Sequence, residues 1–86
     1  MATVEERIKA VTSRVLNVDP AEIKVEHYFS VDLGAESVQS VELVAGFEEE
    51  FGIEMDEEAA LAVETVGGAV EFVTQVCKRQ GVPIEE

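Results

Sequence analysis

Apolar residues recur along this chain in three helical stripes, interrupted by one long stretch without a period. Val4, Ile8, Val11 and Val15 follow one another at steps of three and four, the spacing that lines up one face of an α-helix. Thr3 and Glu6 stand at capping-box spacing, so each side chain can satisfy an orphan amide at the helix start. Pro20 disfavours a helical residue before it, which stops this first helix within residues 17–20. Val38, Val41, Val44, Phe47 and Phe51 form a second stripe and predict a helix over about 37–51, with Gly52 placed as its left-handed terminator. A short third helix is expected over 56–62, too short to stand without packing. Thr65 is placed to cap a last helix ending near Arg79, in which Val66, Val70, Val73 and Cys77 have the spacing of a buried stripe. Gly67 and Gly68 cost that helix roughly 1 kcal/mol each relative to Ala, which points to close packing or a loosely wound first turn.

Between the first two stripes, residues 19–36 show no sustained period. Ile23, Val25, Tyr28, Phe29, Val31 and Leu33 are scattered apolar anchors, with a short helical turn expected near Ala21. Loops of this length in small domains are often functional, and the anchors predict that this one is pinned across the core. The fold expected is all-α: a small irregular bundle of three main helices plus one short helix. Residues 1–86 form one domain, ordered over about 3–80, with an acidic tail at 82–86 expected to fray.

Charge narrows the partners. Nineteen acidic and six basic residues give a formal charge of −13, while a hydrophobic content of 47% separates the chain from disordered acidic tails. Nucleic acid and anionic membranes would be repelled. Basic protein surfaces suit it, attracted over a Debye length of about 8 Å, which favours steering over tight binding. No stretch is long and apolar enough to cross a bilayer, and the N-terminal residues lack the pattern of a secretory signal. A cytoplasmic monomer is expected.

Candidate chemistry is sparse. Cys77 is the only cysteine, which excludes an internal disulfide, and its place on an apolar stripe makes it a small buried hydrophobe. His27, the only histidine, stands in the long loop with no nucleophile motif around it. There is no glycine-rich phosphate cradle, no His-Glu-x-x-His and no Gly-x-Ser-x-Gly. The acidic run at 54–58 lacks the alternating ligands and central glycine of a calcium loop. Neither catalytic residues nor a metal site are expected. What remains is Asp32-Leu33-Gly34-Ala35-Glu36-Ser37-Val38, which sets a serine hydroxyl where the long loop meets a helix N-terminus. Free amides and the positive end of the helix dipole favour a phosphate there. A plain helix cap is the commoner role for serine at such a position.

The surrounding residues bear on that choice. Asp32-Leu33-Gly34-Ala35-Glu36-Ser37-Val38, then Val41-Glu42-Leu43-Val44, then Phe47-Glu48-Glu49-Glu50-Phe51-Gly52-Ile53, and finally Thr65-Val66-Gly67 resemble the acyl carrier protein family in order and spacing over nearly the whole chain. The resemblance implies the acyl-carrier-protein-like bundle. It also implies that Ser37 is joined through a phosphodiester to 4′-phosphopantetheine, taken from coenzyme A by a magnesium-dependent phosphopantetheinyl transferase, the holo-synthase. The arm ends in a thiol that carries acyl groups as thioesters. By the same resemblance Glu36, Glu42, Glu48, Glu49 and Glu50 would dock on basic patches of acyltransferases, ketosynthases and other acyl-processing enzymes. Phe29, Val41, Val44, Leu61 and Val63 are candidates to line a cleft that shelters the acyl chain, although core packing is the commoner role for most residues of this kind.

The chain departs from the family pattern at four places. Glu36 replaces the usual Asp, Val38 the usual Leu, and Gln39 a frequent acid, while Leu61-Ala62 replace an acidic–basic pair. These changes trim docking charge and add apolar surface, as in a specialised carrier. The leading expectation is a carrier for fatty-acid or related lipid synthesis. A stand-alone carrier for polyketide or nonribosomal peptide assembly and an unmodified acidic helical interaction module are the alternatives.

Overall fold

A computed structural model describes residues 2–86. Helix α1 spans Val4–Leu16. It begins as the capping box predicts: Thr3 Oγ1 accepts the Glu6 N–H at 3.2 Å, and the Thr3 N–H donates to Glu6 Oε1 at 2.8 Å. It ends at Asn17, in the left-handed region at φ 57°, a conformation that asparagine tolerates better than most residues. Val4, Ile8 and Val11 are buried and Val15 half-buried. Thr12 is also fully buried, and its hydroxyl donates to the Ile8 carbonyl at 2.8 Å, so burial leaves no orphan donor.

Helix α1 packs against both α2 (Ser37–Phe51) and α4 (Val66–Gln80), while the short α3 (Glu57–Leu61) packs on α2. The core side of α2 is Leu43, Val44, Phe47 and Phe51. Val38 and Val41, expected in that stripe, are 71% and 46% exposed. Steps of three residues fall about 60° short of a full turn, so the series 38, 41, 44, 47 winds around the helix and leaves the core at its N-terminal end. Leu43, one helical turn before Phe47, takes the inward place. Gly52, at φ 64°, ends α2 as expected.

Asp56 caps α3 by accepting the Glu58 N–H, and no residue of α3 is buried. Thr65 caps α4 through the Gly68 N–H at 3.0 Å. The glycines of that first turn mark close packing: a Cβ on Gly67 would lie 3.0 Å from the Val25 carbonyl oxygen. Residues 82–86, expected to fray, instead run back beside the start of α1. Val82 and Ile84 pack against the core, and the Glu85 carbonyl accepts the Val4 N–H at 2.8 Å.

The long loop carries a 3₁₀ turn at Pro20–Glu22. It is then laced to the segment entering α4 by three backbone bonds: Phe29 N–H to Glu64 O (2.9 Å), Val66 N–H to His27 O (3.0 Å) and Gly67 N–H to Val25 O (2.8 Å). Of the expected anchors, Ile23 and Phe29 are buried and Leu33 is half-buried, whereas Val25, Tyr28 and Val31 are exposed. Main-chain bonds hold the loop where those side chains do not. No helix among the described residues is long and apolar enough to cross a membrane.

Candidate functional site

A compact turn delivers Ser37. The Asp32 and Leu33 N–H groups both donate to the Tyr28 carbonyl at 3.1 Å, and the Gly34 N–H donates to Ser30 O at 3.1 Å. Asp32 closes the turn from the other side, its Oδ2 accepting the Tyr28 N–H at 2.8 Å. Gly34 sits at φ 74°, a region a Cβ would strain. Ala35 is buried and its N–H donates to the Phe29 carbonyl at 2.8 Å, which anchors the chain just before the cap of α2.

The helix cap is Glu36, in extended conformation, and its N–H donates to Gln39 Oε1 at 3.0 Å. Ser37 is the first helical residue, is exposed, and its hydroxyl forms no hydrogen bond within the described residues. Capping is therefore performed by other groups, and the hydroxyl stands open to solvent. The first turn of α2 contains no acidic side chain, unlike α1 and α3. A phosphodiester on Ser37 would meet the positive dipole end of α2, with the Glu36 carboxylate at the cap as its one acidic neighbour in the helix start; the residues present fit such a group.

The five glutamates separate into two sets. Glu36, Glu42 and Glu49 are exposed. Residues 38, 42, 45 and 49 follow at helical spacing, so Val38, Glu42, Ala45 and Glu49 share one outward face beginning beside Ser37. The other two serve the fold. Glu48 Oε2 accepts the Met55 N–H at 2.9 Å. Glu50 pairs with Arg7, whose Nε lies 2.9 Å from Glu50 Oε2, whose other nitrogen reaches the Glu50 carbonyl, and whose guanidinium lies 4.2 Å from the Phe51 ring centre.

A narrow apolar crevice of about 50 Å³ lies beside α2. Four of the five expected lining residues border it: Phe29, Val44, Leu61 and Val63. Val41 does not, because it lies on the part of the stripe that has turned outward. Leu43, Phe47 and Phe72 also line the crevice, and Ser40 brings a hydroxyl to it. The even spacing of the 38–51 stripe concealed Leu43, and Ser40 gives no apolar signal at all.

The remaining candidates lie elsewhere. Cys77 is fully buried in α4, and burial pushes its thiol pKa up, only partly opposed by the charge of Arg7. His27 Nδ1 accepts the Lys24 N–H at 3.2 Å, a local turn contact. No group of His, Cys, Asp and Glu among the described residues is arranged to hold a metal ion.

Comparison with known proteins agrees with this geometry. The family described as "Phosphopantetheine attachment site" matches residues 6–84. The acyl carrier proteins of two Caulobacter vibrioides strains, NA1000 / CB15N and ATCC 19089 / CIP 103742, are each 43% identical over 75 residues, covering 87% of this chain and 96% of theirs. With a family match over nearly its whole length and an all-α bundle, the chain belongs to the acyl carrier protein family and is a carrier whose prosthetic group is covalently bound 4′-phosphopantetheine.

Proposed function

We propose that Ser37 is the attachment point and that the protein presents acyl groups, held as thioesters on the arm's thiol, to enzymes of fatty-acid or related lipid biosynthesis. The observation that carries this reading is the exposed, uncommitted Ser37 hydroxyl at the N-terminus of α2. On the transferase, the Ser37 oxygen bonds to the coenzyme A phosphorus nearest the pantetheine. The pyrophosphate bond then breaks, adenosine 3′,5′-bisphosphate leaves, and the hydroxyl proton passes to the transferase. Ser37 is thus a substrate nucleophile, and the base and magnesium belong to the partner.

Glu36, Glu42 and Glu49, with Val38 and Val41 beside them, form the face that meets the transferase, acyltransferases and ketosynthases through their basic patches. Exposed ion pairs contribute about 0–1 kcal/mol each, which suits brief visits to many enzymes. The apolar valines add area to that contact, as fits a carrier with specialised partners. The charge of −13 favours a soluble monomer, and a cytoplasmic one is the form proposed. The test is intact mass after incubation with coenzyme A, magnesium and a promiscuous phosphopantetheinyl transferase. One phosphopantetheine is expected on the wild type and none on Ser37→Ala; addition to Ser37→Ala would overturn the assignment.

A further inference from the structure

A larger opening lies on the other side of α4. It is a groove of about 400 Å³ between the start of α1, the loop at Val25 and the first half of α4. No residue of α2 or α3 lines it. Its α4 residues include Gly67, Val70 and Thr74, whereas the crevice takes Ala69, Phe72 and Val73 from the opposite side of that helix. Gly67 marks the loop end of the groove, where its N–H donates to the Val25 carbonyl at 2.8 Å. Thr74 marks the tail end, one turn before Lys78, which pairs with Glu86 at 3.1 Å. The two ends are roughly 10 Å apart along the helix, so the opening is elongated.

Two independent features say what would fill it. Thr74 is only 9% exposed, yet its hydroxyl has no hydrogen-bond partner among the described residues. Thr12, the other buried threonine, donates to the Ile8 carbonyl. No fully buried side-chain polar atom among the described residues lacks a partner, so the Thr74 oxygen reaches the open space of the groove it lines. Such a hydroxyl can donate to a carbonyl arriving from outside. The second feature is the sorting of the walls. Val25 and Val70 make an apolar floor, and the exposed Glu5, Glu71 and Glu86 stand on the rim with no lysine or arginine in the lining. Lys9 and Lys78 hold Glu5 and Glu86 through exposed pairs, while Glu71 forms no ion pair among the described residues.

We propose that this groove docks a short extended segment of a partner protein in which aliphatic and basic side chains alternate. About three residues, at roughly 3.3 Å each, span its length, and alternate side chains of such a segment point to opposite sides. The aliphatic ones cover Val25 and Val70, the basic ones reach the rim at Glu71, and a main-chain carbonyl accepts from Thr74. A partner held there leaves Ser37 and the outward face of α2 free, so one protein can retain the carrier while it serves another. That use rests on the carrier reading at Ser37; the binding itself does not.

The probe is acetyl-Lys-Leu-Lys-Leu-Arg-amide, titrated into the ¹⁵N-labelled full chain and followed by amide chemical shifts. The largest changes are expected around Val25, Gly67, Val70 and Thr74. Thr74→Val, which keeps the shape without the hydroxyl, should weaken binding roughly two- to tenfold, the worth of one neutral hydrogen bond. Glu71→Lys should weaken it about fivefold or more, because one attraction is lost and one repulsion is added. Glu42→Lys changes the net charge equally but on α2, and should leave the affinity nearly unaltered. Denaturant titrations check that each variant is folded. Shifts centred on α2, no shifts in the groove at millimolar peptide, equal weakening by Glu42→Lys and Glu71→Lys, or unchanged affinity in Thr74→Val would each overturn the proposal. Failure of Ser37 to accept phosphopantetheine would sink the carrier reading and leave the groove standing.

Discussion

At Gly46 the two helices approach so closely that a Cβ would come within 2.8 Å of Val11 Cγ1. Val11 is buried and β-branched, so it has little freedom to yield. Overpacking costs about 1–3 kcal/mol, against roughly 1 kcal/mol of helix propensity gained by alanine. Gly46→Ala is thus expected to lower the melting temperature by several degrees in a thermal scan, despite being a helix-favouring change. Cys77 allows a second check at this scale. Buried, and with its thiol pKa raised by desolvation, it is expected to stay unreactive towards an aromatic disulfide reagent in the native apo protein at pH 8. One thiol should appear in the holo form and two after denaturation. Glu6 offers a third. Its carboxyl is held below the usual range by its hydrogen bonds to Thr3. A lowered folded-state pKa contributes stability above the unfolded value and loses it as pH falls through the folded one. Glu6→Gln, which keeps an acceptor for the Thr3 N–H but not the charge, should therefore lower stability at neutral pH, with the gap to wild type in denaturant titrations narrowing as the pH falls through the glutamate range.

At the scale of elements, α2 has two unlike ends. Its C-terminal end is fastened by Arg7 through the Glu50 side chain and carbonyl and across the Phe51 ring, and by the Glu48–Met55 bond. Its N-terminal end shows Ser37, Val38 and Val41 to solvent. Arg7→Ala is accordingly expected to destabilise more than Glu50→Gln, because it removes three contacts where the other removes one, as chemical denaturation of both would show. Glu42→Gln and Glu49→Gln should leave stability nearly unchanged while raising the KM of the transferase. This division could not be read from the glutamates themselves, which look alike in sequence. It depends on which of them face α1 and the loop at 53–56. The helix limits were legible because they are local: Thr3, Gly52 and Thr65 stop or start helices through their own side-chain or backbone chemistry. The inward face of α2 was less so, since Val38 and Val41 belong to a three-residue series that turns away from the core. The course of the loop was hidden for a related reason. Main-chain bonds to residues 64–67 hold it, and those leave no mark on side-chain pattern.

For the whole molecule, charge sets the terms. Nineteen carboxylates in a body with principal extents of 32 × 28 × 19 Å repel one another. Salt is expected to raise the melting temperature by screening that repulsion, as thermal scans in magnesium and sodium chlorides at matched ionic strength would measure. A much larger rise with magnesium would indicate a specific carboxylate site. The lacing of the loop to the entrance of α4 has a consequence of its own. Peptide groups are the same at every residue, so the hold they give does not depend on what Lys24, Glu26 or Ser30 happen to be. Substitutions at those outward positions can accumulate while Ser37 keeps its place at the start of α2.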